Sequence, residues 1–299
     1  MIHSMNNMAS SLVITPSFDK AFRILDAITA ISSNVFDGSL DAKICFVHLH
    51  KCGGTSITQA IKSCYQSLSS ITDNNTFHLN GAAASKAAHK SFENHLDSED
   101  EDYLIGKFRE HLLLYHMYQS KIKYAAGHFS FSEIAYQNFS GKYAFVTVLR
   151  DPVKRWISAY LYSRYGQYAT PNLDEDFSDF LNSERAFKGG CLYVKSIGGL
   201  DKTGNYTSEA AIERAKENLH KFSVVGFLEH QEIFVKQFEQ QFGRKLRIRK
   251  YNRTNKSKTF KKSLISEEIE AKIREICRPD IEVYQYAMNN FLQNKYLVN

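Results

Sequence analysis

Three short segments combine residue types suited to holding an anion or moving a proton. They are Lys51-Cys52-Gly53-Gly54-Thr55-Ser56, Gly127-His128, and Arg150-Asp151-Pro152 with Ser158 eight residues after Arg150. Two adjacent glycines let backbone N–H groups turn inward around an anion, and a helix starting there presents its positive N-terminus to the same point. Lys51 adds a full charge, and Thr55 and Ser56 add hydroxyl donors. The segment reads as a phosphate cradle, though not as a Walker A loop, which places its Lys after the glycines. Taken alone, it also fits a plain Gly-Gly turn from strand to helix. Arg150 leaves an apolar run directly into a helix, with Asp151 suited to the N-cap and Pro152 to the first helical position. A guanidinium anchored this way can form a forked pair with a phosphate. Ser158 lies about two turns along, on the face nearest Arg150, so one phosphate can sit between them. Taken alone, this segment equally fits an Arg-to-helix salt bridge with Ser158 as a small packing residue. His128 is the candidate general base, because an imidazole titrates near neutral pH. Its structural alternative is a bond to a loop carbonyl, and Glu133 is the second candidate base. His48 and His50 flank Leu49 on one strand face, but no third ligand stands at zincin spacing, so no metal is expected. His111 and His116 read as helix-surface or core residues.

The elements around these segments alternate. Lys43 to Leu49 predicts a strand and Ser56 to Leu68 a helix; Ile122 to Ala126 and Tyr143 to Leu149 predict two more strands. A helix follows from Pro152 to about Ser163. A helix over Ser208 to His220 precedes a strand at Ser223 to Phe227, a helix to Phe242 and a fifth strand at Leu246 to Tyr251. Two helices, near 266–277 and 280–293, close the chain. Alternating strands and helices predict a mainly parallel, three-layer α/β sheet. Residues 1–15 are polar and read as a flexible N-terminus, and 16–299 as one domain. The pattern Phe18, Phe22, Leu25, Ile28, Ile31 has helical spacing, and residues 72–92 have no clear pattern. Six acids crowd residues 93–102, ahead of a helix ending near Gln119. Residues 164–206, rich in Gly and Tyr with short helical pieces, predict a lid or substrate-loop region. All three chemical segments fall at carboxyl ends of strands, where ligands bind in open α/β sheets.

Composition excludes several classes. Of 299 residues, 43% are hydrophobic and 23% charged, which excludes a disordered or collagen-like chain. The net charge of +6 suits an anionic ligand without requiring nucleic acid. Residues 244–262 hold ten Lys/Arg and no acid, so the rest of the chain carries −4. That segment either steers a polyanion or forms a solvated strand edge with Leu246 and Ile248 turned inward. It lacks an aromatic platform for nucleic acid. No apolar run reaches membrane-spanning length, and no basic start leads into a secretory apolar stretch. Five cysteines without a CxxC pair point away from a disulfide framework or a zinc knuckle and fit a reducing cytoplasm.

Together the segments resemble the nucleotide sites of sulfotransferases that use 3′-phosphoadenosine 5′-phosphosulfate. They are most similar to the carbohydrate-type branch, which includes heparan sulfate O-sulfotransferases. That branch carries FxHxPKTGGTS-like and RDPxxRxxSxY-like segments, here Phe46 to Ser56 and Arg150 to Tyr160. Further likeness lies in Val224 to Glu229 and Asp280 to Tyr284. His50 stands where the branch usually has Pro, and Cys52 where it has a small or hydroxyl residue. The stretch Lys188 to Gly199 lacks a clear version of the branch's Asn/Gln-bearing segment. The resemblance implies a P-loop-like sulfotransferase fold with a mainly parallel five-stranded sheet flanked by helices. It implies that Lys51, Cys52, Gly53, Gly54, Thr55 and Ser56 hold the 5′-phosphosulfate, and that Arg150 and Ser158 hold the 3′-phosphate. Lys51 then assists the leaving oxygen and His128 is the base. The expected reaction moves a sulfuryl group, without metal, to a hydroxyl or nitrogen of a carbohydrate or small metabolite. A nucleotide or small-molecule kinase, and a non-catalytic nucleotide- or polyanion-binding protein, are the alternatives.

Overall fold

The structure, a computed structural model, describes residues 39–66, 74–92, 101–165, 175–249 and 265–292. Its strands are β1 (Lys43–Val47), β2 (Thr76–His78), β3 (Tyr124–Gly127), β4 (Tyr143–Leu149) and β5 (Val224–Phe227). They form one sheet in the order β2-β3-β1-β4-β5, and every pairing is parallel. Parallel neighbours need long crossovers, and helices supply them. α1 (Gly54–Ser63) follows β1; α2 (Gly81–Ser91) and α3 (Glu101–Met117) follow β2; α4 (Glu133–Phe139) follows β3. Between β4 and β5 lie α5 (Pro152–Tyr165), α6 (Phe177–Leu181), α7 (Glu184–Gly190), α8 (Leu192–Gly198) and α9 (Glu209–Leu219). After β5 come α10 (Gln231–Phe242), α11 (Glu267–Ile276) and α12 (Arg278–Ala287).

Both sheet faces are covered, which is why the strands read as near-continuous apolar runs. Alternate residues point to opposite faces. Cys45, Val47, Phe145 and Val225 pack with Tyr193 of α8, Leu219 of α9 and Val283 of α12. Ile44, Phe46, Val146 and Val224 pack on the other face with Ile57 of α1 and Phe234 of α10. A third cluster joins Trp156 and Tyr160 of α5 to Phe177 of α6 and Ile273 of α11.

The register brings the chemical segments together. Val47 pairs with Gly127 on one side and Thr147 on the other. The residues that follow therefore leave the sheet side by side. The connection after β1 runs toward β2, whereas the one after β4 runs toward β5. The strand order thus reverses between β1 and β4, and a crevice opens at such a switch point.

One expected strand does not form over its described residues, and one strand stands where the sequence has no clear pattern. Leu246 to Arg249 makes no ladder, and Leu246 is buried because it packs beside α10. Its apolar alternation reflects packing without pairing; Tyr251 lies outside the described residues. The remaining strand is β2, only three residues long and half-exposed, which is too short to show a period. Residues 18–31 and 250–262 also lie outside the described residues, as do 93–100 and 166–174. The last of the short helices in the 164–206 region, α8, buries Tyr193, Val194 and Ile197 completely.

Candidate active site

The loop after β1 is shaped by three unusual backbone requirements. Lys51 has φ +65° and is the single non-glycine at positive φ among the described residues. Such a residue costs free energy and is held there by its surroundings. Gly53 has φ +74° at the N-cap of α1, and a Cβ there would lie 2.6 Å from Leu228. Gly54 is needed for a different reason: a Cβ would fall 1.6 Å from Nε2 of His48, whose ring lies against it. α1 therefore begins with no side-chain cap and no acid in its first turn. Its orphan N–H groups and positive dipole end are not neutralised by its own cap or first turn.

Cys52 corrects one expectation. Its thiol is buried, 3.4 Å from the Tyr193 hydroxyl, and burial pushes it up to about 11. Its N–H closes a turn to the Leu49 carbonyl at 3.4 Å. Cys52 is thus a core packing residue of the loop and offers its side chain to no anion. Thr55 is exposed and Ser56 half-buried at the helix start.

The Arg150 segment joins this loop directly. The guanidinium Nη1 donates to the Lys51 carbonyl at 3.0 Å. The Arg150 N–H donates to the Tyr193 hydroxyl at 2.9 Å, and that hydroxyl donates to the Arg150 carbonyl at 2.5 Å. Asp151 caps α5 by accepting the Lys154 N–H at 2.8 Å, as the Asp-Pro pair predicts. The Lys51 ammonium lies 4.0 Å from the ring centroid of Tyr162 on the same helix. Ser158, half-buried, stands one turn before Tyr162 and shares its face. Lys51 thus touches both the Arg150 guanidinium, through its carbonyl, and the face of α5 that carries Ser158.

His128 follows β3, beside this loop. Its Nδ1 lies 2.7 Å from the His48 carbonyl. A carbonyl only accepts, so Nδ1 carries the proton and Nε2 keeps its lone pair. Burial is the main cause that pushes His128 down to about 4, so it is neutral at pH 7. The rings of His50 and His48 approach it to 3.6 Å and 4.1 Å between centroids. Burial holds His48, and the protein packed around it holds His50, well below the usual histidine range. The contacts are ring to ring, and among the described residues no group of three or more His, Cys, Asp or Glu is placed to hold a metal ion. Arg109 fixes this strand end by donating to the His128 carbonyl at 3.2 Å and to Ser85 Oγ at 2.8 Å. Glu133, the second candidate base, is paired 2.6 Å from Lys221.

Between α5 and α12 lies a buried pair whose members stand in two quoted segments but which the sequence does not mark as partners. Arg155 and Asp280 are 3.6 Å apart and almost fully buried. Asp280 also accepts the N–H groups of Tyr193 at 2.7 Å and Val194 at 3.2 Å, at the start of α8. Arg155 donates to the Gly189 carbonyl as well. Tyr193 is the link from this pair to both Arg150 and Cys52. No local signal marks it, because its partners lie 43 and 141 residues away.

Comparison with known proteins adds an independent line. A family model described as "Sulfotransferase family" matches residues 36–287. Heparan sulfate 2-O-sulfotransferase 1 of Gallus gallus is 28% identical over 184 residues, covering 55% of this chain and 52% of that protein. The Homo sapiens protein of the same name is 27% identical over 186 residues, with the same shares. The chain spans about half the length of the curated relatives it matches.

Proposed function

The chain belongs to the sulfotransferase family, and from that premise we propose that it moves a sulfuryl group from 3′-phosphoadenosine 5′-phosphosulfate to a hydroxyl, or a nitrogen, of a carbohydrate. One observation carries this reading. A helix N-terminus with no cap or first-turn acid of its own, two cations and a neutral imidazole follow the ends of three adjacent parallel strands, next to the switch point. The residues fit the donor's charge: Lys51 and Arg150 are cationic, and α1 contributes no first-turn acid to compete.

The donor supplies an activated sulfuryl group on a phosphate leaving group. Lys51, the N–H groups at Gly53 and Gly54, and the hydroxyls of Thr55 and Ser56 would hold the 5′ end. Cys52 contributes only the shape of the loop. Arg150 and Ser158 hold the 3′-phosphate, and that phosphate is what selects this donor over other nucleotides. His128 accepts the acceptor's proton on Nε2 while Nδ1 stays bonded to the His48 carbonyl. As the acceptor oxygen takes the sulfuryl group, charge grows on the leaving phosphate oxygen, and the Lys51 ammonium stabilises it. Sulfuryl carries less negative charge than phosphoryl, so positioned donors can serve where a kinase uses Mg²⁺. No helix among the described residues is long and apolar enough to cross a membrane.

The test compares ligands and products. Adenosine 3′,5′-bisphosphate should raise the melting temperature through mass action, and Mg-ATP should raise it much less. Labelled donor should be turned over only with a carbohydrate acceptor present. An equal shift with Mg-ATP, or transfer of phosphate, would replace this reading with a kinase.

A further inference from the structure

His50 is the one member of the imidazole group that is exposed, although protein surrounds it on most sides. Its ring lies 3.6 Å from that of His128 at an interplanar angle of 10°, a face-to-face stack. The His48 ring, by comparison, is tilted by 37°. Nothing in the reaction described above uses His50.

The chemistry leaves a gap that this stack fills. When His128 takes a proton it becomes a cation in a crevice already rich in positive charge. Arg109 of α3 and His78 of β2 act on His128. His128, Arg109, Arg155 of α5 and Lys51 act on His50. All of these are cations or imidazoles, and no carboxylate is among them. The carbonyl of His48 accepts Nδ1–H in both protonation states, so it orients the ring. What remains beside the ring are the His48 ring, tilted by 37°, and the flat π face of His50. A flat, neutral ring stabilises a cation stacked on it and fixes the plane in which Nε2 points.

We propose that His50 is a positioning residue for the sulfotransfer reaction: its ring face fixes the plane of His128 and stabilises the imidazolium that forms there. The proposal rests on the reading of His128 as the base. His50 touches neither donor nor leaving group in this role, and it transfers no proton, because stacked rings present faces and not nitrogens to each other. A neutral His50 suits the task, since two stacked imidazolium rings would repel. The protein packed around it and the neighbouring cations hold His50 well below the usual histidine range.

The experiment uses three variants of the full chain. His50→Leu keeps apolar volume but removes the ring face; His50→Phe keeps the face and removes titration; His128→Ala tests the base itself. His50→Leu should lower kcat by about tenfold, and His50→Phe should stay within about threefold of wild type, the difference expected for one cation–ring contact. Binding of adenosine 3′,5′-bisphosphate should be unchanged in both. The Cε1–H resonance of His128, followed by NMR against pH, should titrate lower in His50→Leu than in His50→Phe or wild type. That shift would not arise from a packing role alone. Equal rates and equal His128 titration in Leu and Phe variants would overturn the proposal. A His128→Ala enzyme with near-normal turnover would instead sink the base assignment, so the two failures are told apart.

Discussion

At the scale of single residues, the chemistry turns on one imidazole in an unusual setting. His128 is pushed down to about 4, chiefly by burial, so it is a neutral base throughout the physiological range. His128→Ala should cut turnover by about 10²–10⁴-fold, the usual contribution of a general base, while binding of adenosine 3′,5′-bisphosphate stays near wild type. The pH profile carries a second test. With the free enzyme's pKa near 4, kcat/KM should hold as pH falls through 6 and decline only toward the acid end. A bound polyanion favours the imidazolium, so the limb in kcat should lie at higher pH than the limb in kcat/KM. Stability moves in the same window. An unfolded histidine titrates near 6.5, so below that pH the unfolded chain binds protons that His128 and His48 do not. Their neutral burial is therefore harmless above about pH 6.5, and stability is lost as pH drops from there toward the folded pKa. Melting temperatures measured from pH 8 to 5 should fall on the acid side, and a kcat/KM limb near 6.5 would show an ordinary, solvated His128.

At the scale of elements, the site depends on how β1 hands over to α1. Gly54 was legible as a glycine that lets N–H groups turn inward, but the structure gives it a further task. The His48 ring occupies the space where a Cβ would stand, 1.6 Å from its Nε2. Gly54→Ala should therefore displace a buried ring that touches His128, costing about 1–3 kcal/mol as overpacking and lowering turnover as well. Gly141→Ala is the matched control, since nothing lies within 4 Å of a Cβ there. Urea unfolding and initial rates of the two variants separate the effects; equal behaviour would mean His48 moves aside freely. The same handover shows what the sequence could reveal. β4 and α5 were readable to within a residue or two, because a seven-residue apolar run stops at an Asp-Pro that caps and starts a helix. The chemical segments were readable because parallel strands end in register, so local motifs became neighbours. β2 was not, since three half-exposed residues carry no period. Nor was the burial of Cys52, which is decided by Tyr193 on a helix 141 residues away. Leu246 and Ile248 showed apolar alternation, but alternation marks only which side chains pack inward and says nothing of ladder bonds.

At the scale of the whole molecule, one buried pair ties α12 to the Arg150 segment. Asp280 opens α12, meets Arg155 of α5, and accepts two N–H groups at the start of α8. Those amides belong to the helix whose Tyr193 hydroxyl brackets Arg150 through its N–H and carbonyl. A pair so deeply buried contributes little net stability if both charges are replaced together, because desolvation offsets their attraction. Removing one partner is different: the other is left buried and uncompensated, at about 3–5 kcal/mol. Asp280→Ala and Arg155→Met should each destabilise by about that much, and the double variant by clearly less than their sum, a coupling that a double-mutant cycle measures. The remaining loss in the double variant reflects the α8 amides, which lose their carboxylate whatever stands at 155. Those amides also set where Tyr193 sits, so Asp280→Ala should weaken binding of adenosine 3′,5′-bisphosphate, while Arg155→Met, which leaves the carboxylate bonds to α8 in place, should weaken it less. Additive destabilisation would mean that the charges do not see each other. Equal donor affinity in the two single variants would mean that Tyr193 holds Arg150 without help from the C-terminal helix.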